Sequence, residues 1–251
     1  MLTKVKVVDT WVTTAPYKDY ISEILELAAA RKSSYVCCAN VHMLMEAYQK
    51  PAFKQVVNRA DIVTPDGRPL SILMNLQYKL KQERACGMDL FPDILRDAGK
   101  RGLSVFFYGS TNEVLAAITQ KAKAEFAGLR IAGSYSPPFR RLTAEEDKQV
   151  VKMINGSGAH LVFVSLGCPK QEKWMYEHKG VIHGCMLGLG QAFLTYAGLE
   201  KRLPKWARDL SLEWAYRLYL EPGRLWKRYL VGNSKFLWLA GRSLVLQKNL
   251  K

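Results

Sequence analysis

Residues 60–72 read ADIVTPDGRPLSI. An apolar run, Ile62-Val63-Thr64, stops at Pro65, and one carboxylate, Asp66, follows beside Gly67. Pro, Asp and Gly each form turns for a backbone reason of their own, so the trio could shape a turn and nothing more. The chemical alternative is a carboxylate held rigidly at the end of a buried strand, where it can take a proton from a hydroxyl group. A second string, ERACGMDL, carries Arg84, either a clamp for phosphate or acceptor or an ordinary surface arginine. A third, GCPKQE, follows Gly167 with Lys170, Gln171 and Glu172. Lys170 could meet phosphate, and the Gln171 amide could bond a sugar or a base edge. Glu172 could simply favour the first turn of a helix, where an acidic residue is stabilising in any case.

These strings need elements that bring them together, and the pattern supplies them. Strand-like runs at Lys4–Val8, Ser34–Ala39, Asp61–Thr64, Leu103–Tyr108, Leu129–Ala132, Ala159–Leu166 and Ile182–Leu187 alternate with stretches of helical spacing. The helical stretches are Tyr20–Ala30, His42–Asn58, Asn112–Phe126, Glu145–Ile154 and Lys170–His178. Continuously apolar strands alternating with amphipathic helices predict an α/β fold, a mostly parallel sheet with helices on both faces. Ligands of such sheets sit outside the carboxyl ends of the strands. At those ends stand Asn40, Asp66-Gly67, Gly109-Ser110, Gly167 through Glu172, and Gly188-Leu189-Gly190-Gln191. Glycine lets a phosphate approach the backbone, and a following helix N-terminus offers N–H donors. One such turn is weak evidence, because every strand-to-helix unit needs a turn; several together point to a phosphate-bearing ligand.

The chain has 251 residues, enough for one large domain with an appendage, and a net charge of +15. A field of that size attracts phosphate, whether in nucleotides, nucleic acid or anionic lipid. The last fifty residues differ from the rest. Residues 201–251 hold 12 Lys and Arg against 3 Asp and Glu, a net +9, and four of the six tryptophans. The stretch around Glu221-Pro222-Gly223 reads as two amphipathic helices whose basic residues interleave with Trp, Tyr and Leu, the composition of helices lying in a membrane interface. The alternatives are a helix pair packed on the domain with a solvated basic face, and a nucleic-acid surface. The division expected is therefore 1–200 for the sheet domain and 201–251 for the appendage. No signal peptide and no apolar run of bilayer-spanning length is visible, so a cytoplasmic location is expected. Five cysteines, an odd count with no C-x-x-C, read as reduced thiols rather than a disulfide framework or zinc site. The four histidines, at 42, 160, 178 and 183, show no paired metal spacing and read as structural.

Glycosyl transfer from a nucleotide sugar would use these parts. An inverting enzyme needs one base for the acceptor hydroxyl and something to neutralise the leaving diphosphate. Metal-dependent versions usually hold the metal with Asp-x-Asp, a string this chain lacks. The diphosphate charge would then be met by Arg, Lys, amide donors and helix N-termini. No metal and no cofactor is expected.

On these residues the sequence resembles the WecG/TagA/CpsF family of bacterial glycosyltransferases over about residues 5–235. The matching strings are Asn40, Ala60-Asp61 with Pro65-Asp66-Gly67, Arg84 with Gly87 and Asp89, and Gly167, Pro169, Gln171-Glu172 and Trp174. They continue with Gly188, Gly190, Phe193 and Ala197-Gly198, then Arg202 and Pro204, Leu212-Glu213-Trp214 with Arg217, and Glu221-Pro222 with Arg224. The resemblance implies a Rossmann-like fold and an inverting, metal-independent transfer of one sugar from a UDP-sugar to a sugar on undecaprenyl diphosphate, in cell-surface polysaccharide biosynthesis. It implies Asp66 as the base, and Cys38, Asn40, Gly67, Arg84, Gly109, Gly167, Gln171, Glu172 and Gly190 as the substrate-binding wall. It implies that the appendage, with Arg217 and Arg224, closes over the site and meets the anionic inner face of the plasma membrane, where the enzyme would be peripheral. Apolar surface under the appendage could pair subunits into a homo-oligomer when no membrane is present. Cys38 stands where family members often have Thr, and Leu194 where they often have an acidic residue. The donor therefore stays open among N-acetylmannosamine, N-acetylmannosaminuronic acid and a related hexose.

Two other classes compete with this reading. A basic nucleotide- or nucleic-acid-binding α/β module without transferase activity has only the +15 charge behind it, with no recognisable reader motif, and no nucleic-acid partner is expected. A dehydrogenase would need Gly-x-Gly-x-x-Gly after a strand with an acidic residue about 20 positions on. The nearest string, Gly188-Leu189-Gly190, continues Gln191-Ala192-Phe193.

Overall fold

The computed structural model describes residues 2–204, 206–207, 213–220 and 222–248. A parallel sheet of six strands runs through its centre: β3 (Ser34–Ala39), β4 (Ile62–Pro65), β5 (Ser104–Gly109), β6 (Arg130–Tyr135), β7 (Leu161–Ser165) and β8 (Cys185–Gly188), in the order β4-β3-β8-β7-β5-β6. Alternation along each strand explains why both faces need cover. Tyr35, Cys37 and Ala39 of β3 join Tyr108, Val162, Val164 and Met186 in one buried layer. Val36 and Cys38 join Val105, Phe107, Phe163 and Leu187 in the other. The first layer is closed by α2 (Val41–Gln49), α3 (Pro51–Asn58), α4 (Arg68–Tyr78), α7 (Ala144–Gly156) and α8 (Lys170–Glu177). The second is closed by α1 (Tyr17–Ala29), α5 (Gly87–Lys100), α6 (Asn112–Glu125) and α9 (Ala192–Tyr196). The α/β expectation is met, with helices on both faces.

Several details differ from the pattern reading. The first strand, β1 (Thr3–Val7), is outside the parallel sheet; it pairs antiparallel with β2 (Thr10–Thr14), an element not expected. The hairpin lies along edge strand β4, where the Thr13 hydroxyl accepts from the Val63 N–H at 2.9 Å. An uncovered strand edge is a template for unwanted pairing, and the hairpin shields this one. The single helix expected over 42–58 is two, α2 and α3, broken at Lys50. Pro51 disfavours helical backbone at the residue before it, and Lys50 is extended, at φ −125° and ψ 97°. Helices α4 and α5 fall where no element was expected. Pro69, Gly87, Pro92 and Gly99 punctuate them, yet Leu90, Phe91, Ile94, Leu95 and Ala98 bury one stripe of α5 strongly enough to override the punctuation.

The appendage contains α10 (Glu213–Leu220) and α11 (Pro222–Lys248), the two helices expected around Pro222. Phe236, Leu239 and Ala240 of α11 are buried in the first core layer. Gln77 of α4 donates to the Ser243 hydroxyl at 2.7 Å, and the Lys235 ammonium sits 5.0 Å from the Tyr48 ring of α2. One face of α11 is therefore seated on α2 and α4. Trp226, Leu230, Val231, Leu237, Trp238 and Val245 of the same helix are exposed. Among the described residues no helix is long and apolar enough to cross a membrane.

Candidate active site

The carboxyl ends of the strands open into one cleft of about 1000 Å³. Cys38, Asn40, Asp66, Gly67, Arg84, Gly167, Gln171, Glu172 and Gly190 all line it. Residues far apart in sequence meet there because β3, β4, β7 and β8 run parallel and finish on one side.

Asp66 is held by the backbone before any side chain acts. Its N–H donates to the Ala39 carbonyl at 2.8 Å, tying the end of β4 to the end of β3. The segment after α4 returns beside it: the Ala85 N–H donates to the Pro65 carbonyl at 2.9 Å, and the Thr64 hydroxyl donates to the Ala85 carbonyl at 2.9 Å. This short graft brings Arg84 and Cys86, the two neighbours of Ala85, to the cleft beside the end of β4. The Cys86 thiol hydrogen-bonds the Asp66 carboxylate; burial, then the charge of Asp66, pushes that thiol's pKa well up. Burial and the same carboxylate push Cys38 up to about 12. Both thiols therefore stay protonated beside the Asp66 carboxylate. Gly67 is not needed for the turn: its φ is −86°, and a Cβ there would meet Asn40 at 3.6 Å, an ordinary contact. Arg84 pairs with Asp89 at 3.5 Å, and Asp89 also holds Arg202 at 2.7 Å, linking the cleft wall to the entrance of the appendage.

Asn40 caps α2, its side-chain oxygen accepting from the Met43 N–H at 3.2 Å. This local role accounts for one end of its amide.

The β7/β8 side is built differently. Gln171 is buried, accepts from the Gly167 N–H at 3.2 Å and donates to Glu172 at 2.8 Å. Its amide thus braces the Gly167 turn. A Cβ at Gly188 would lie 2.7 Å from the Met175 methyl and 3.0 Å from the Gln171 amide nitrogen, so any larger residue there would have to displace one of those side chains. Glu172 is fully buried, and burial raises its carboxyl pKa against the opposing hydrogen bonds from Gln171 and Cys168.

Gly109 stands just behind the wall; its neighbours Ser110 and Thr111 line the cleft. With φ +104° it lets β5 pass β7 where a Cβ would fall 2.3 Å from the Ser165 carbonyl oxygen, so its role in the structure is packing. Arg217 and Arg224 lie on α10 and α11, with their side chains outside the described residues.

The structure adds residues the pattern did not single out. His42, read as structural, lies in the cleft wall, as do Arg68, Phe139 and Asn233 of α11. Asn233 could not be found by spacing, since only the seating of α11 on α2 and α4 brings it to the cleft. His178 is structural as expected, bonding the Trp174 carbonyl at 2.7 Å and Asp147 at 3.0 Å. All five cysteines are free thiols. Among the described residues no group of three or more His, Cys, Asp and Glu side chains is placed to hold a metal ion.

A parallel sheet whose strand ends gather a carboxylate, an arginine and several glycine turns has its cleft where ligands of the α/β class bind. The family model for the glycosyl transferase WecG/TagA/CpsF family matches residues 5–250, and the chain belongs to that family. It is therefore a glycosyltransferase by family. The chain is 34% identical over 200 residues to an N-acetylglucosaminyldiphosphoundecaprenol N-acetyl-beta-D-mannosaminyltransferase of Bacillus spizizenii, covering 79% of this chain and 76% of that one. It is 31% identical over 196 residues to a protein of the same name from Bacillus subtilis, covering 78% of this chain and 74% of that one.

Proposed function

We propose that this chain transfers one N-acetylmannosamine-type sugar from a UDP-sugar to N-acetylglucosamine carried on undecaprenyl diphosphate, with inversion and without a metal. The names of the two Bacillus relatives supply the sugar and the acceptor; N-acetylmannosaminuronic acid and a related hexose are the competing donors. Asp66 removes the proton from the acceptor hydroxyl as that oxygen attacks the anomeric carbon. The bond from that carbon to the uridine diphosphate oxygen breaks on the opposite face. The departing diphosphate carries away the electron pair, and its charge meets Arg84 and the N–H groups of the glycine turns. Cys38, Asn40 and Gly190 shape the sugar and phosphate pocket. The observation that carries this reading is the convergence of Asp66 and Arg84, braced on the same backbone graft, in one cleft with the glycine turns.

A lipid-linked acceptor must be reached from a membrane surface. We assign that contact to residues 201–251, whose helix α11 exposes Trp226, Leu230, Leu237 and Trp238 among basic residues. Arg217 and Arg224 would close over the diphosphate from this appendage. The enzyme would work peripherally on the inner face of the plasma membrane, and as a homo-oligomer when no membrane covers the appendage.

The test is transfer from each of the three UDP-sugars to a synthetic N-acetylglucosaminyl-diphospho-lipid, with and without chelator. The expected result is an inverted product from UDP-N-acetylmannosamine that chelator leaves unchanged. No product from any donor overturns the reading, and loss of product with chelator overturns metal independence. In parallel, the full chain carrying Trp226→Ser and Trp238→Ser should sediment less with anionic vesicles; unchanged sedimentation would move the membrane contact elsewhere.

A further inference from the structure

Phe139 is the most exposed large hydrophobic side chain described, at 87% of its full accessibility, and it lines the cleft. A lone exposed apolar residue is ordinary on a protein surface. This one differs in how firmly its loop is held. Pro137 and Pro138 precede it and restrict the backbone. The Ser136 hydroxyl donates to the Ser110 carbonyl at 2.6 Å, pinning the loop to the turn after β5. On the other side Arg140 grips Glu146 with two bonds, at 2.7 and 2.6 Å, and holds that carboxyl down to about 2, so the pair stays charged at any working pH. Glu146 also completes the capping box of α7 with Thr143. Behind the loop Tyr135 stacks on Tyr108, which stacks on Trp174 at 4.4 Å. A braced loop that projects an aromatic ring at a cleft mouth offers the face of that ring to whatever occupies the cleft.

Its place along the cleft says which part of the ligand. Asp66 follows β4, one edge of the sheet, and Phe139 follows β6, the other edge. Five strand steps of about 4.8 Å separate those edges, roughly 24 Å before the loop reaches back over the cleft. Between them lie the Gly167 and Gly190 turns. If the reacting sugar carbon sits beside Asp66, and the diphosphate on the turns, the far end of an extended nucleotide sugar points toward Phe139. That end is a planar heterocycle, whose faces stack on aromatic rings and whose edges hydrogen-bond elsewhere.

We propose that Phe139 is the stacking platform for the pyrimidine base of the donor nucleotide, a substrate-binding residue at the opposite end of the cleft from the base Asp66. The inference rests on the UDP-sugar reading above. Stacking of a base on an aromatic ring changes affinity by roughly 5- to 150-fold on removal of the ring.

Calorimetric titration of the full chain with UDP and, separately, with inorganic diphosphate tests it, using wild type, Phe139→Ala and Phe139→Tyr. Phe139→Ala is expected to weaken UDP by at least fivefold while leaving diphosphate affinity and the melting temperature unchanged, and Phe139→Tyr to retain UDP affinity. UDP binding by Phe139→Ala equal to wild type overturns the stacking role alone. Equal losses for UDP and diphosphate also overturn it, because the loop would then be acting on the phosphate site. No UDP binding by wild type overturns the donor reading, and the inference falls with it.

Discussion

At the β3/β4 end of the cleft, Asp66 and Arg84 are partly exposed and are positioned mainly by backbone hydrogen bonds from Ala39, Pro65 and Ala85. At the β7/β8 end, Gln171 and Glu172 also line the cleft but are buried, and the Gln171 amide bonds both Glu172 and the Gly167 turn. Both ends carry residue types that could do chemistry. The difference is whether the groups remain available to a ligand after the fold has used them. The carboxylate at the partly exposed end can accept a proton; the buried one at the other end holds the Gln171 amide that braces the turn.

The strongest way to break this contrast is at Asp66. Asp66→Asn should melt within a degree or two of wild type and lose transfer by about 100- to 10,000-fold, the range of general-base help. Single-turnover transfer beside a thermal melt measures both. A mutant with full transfer would make Asp66 a turn residue after all and would dissolve the difference between the two ends.

Gln171→Leu should show the opposite profile. It removes the acceptor of the Gly167 N–H and the donor to buried Glu172, so the chain should lose about 1–3 kcal/mol of stability. Denaturant unfolding reads that loss. A Gln171→Leu chain that is fully stable but does not bind UDP would show that the amide belongs to the ligand rather than to the frame.

The smallest effect is expected at Glu172 and sharpens the same point. Burial raises its carboxyl pKa in the folded chain, so the native state holds its proton more tightly than the unfolded chain does. Stability therefore falls as pH rises from the ordinary carboxylate range through the raised value, and the full penalty applies above it. Glu172→Gln removes the charge and keeps an oxygen to accept from Gln171. Its melting temperature should exceed that of wild type at neutral and alkaline pH, and the gap should close as pH falls toward the ordinary carboxylate range. A gap that widens on acidification would mean the native site stabilises the carboxylate, as a functional anion would require.

Much of the cleft was legible in one dimension. Asn40, Asp66, Ser110, Gly167 and Gly190 each end a strand or follow one, and a parallel sheet sends all such ends to one side. Gly109 was legible as a glycine at a strand end but not as packing, because the Ser165 carbonyl that excludes a Cβ belongs to a strand more than fifty residues later. Helices α4 and α5 were obscured by Pro69, Gly87 and Pro92, whose local penalties are outweighed by burial that no window of sequence displays.

The order of apolar runs and helical stretches determined the α/β class, since a strand buried on both faces must be apolar throughout and must be covered by helices. The uneven charge determined that the last fifty residues differ from the rest, and the ordered strings of motif residues determined the family. Tertiary structure alone decided which polar groups stay available. It placed the Ala85 graft against β4 and spent the Gln171 amide on a turn. It also laid the β1–β2 hairpin on a bare edge, brought Asn233 to the cleft and held Phe139 over the mouth. Each of these depends on distances between residues far apart in the chain, and those are set by which surfaces are buried together rather than by local pattern.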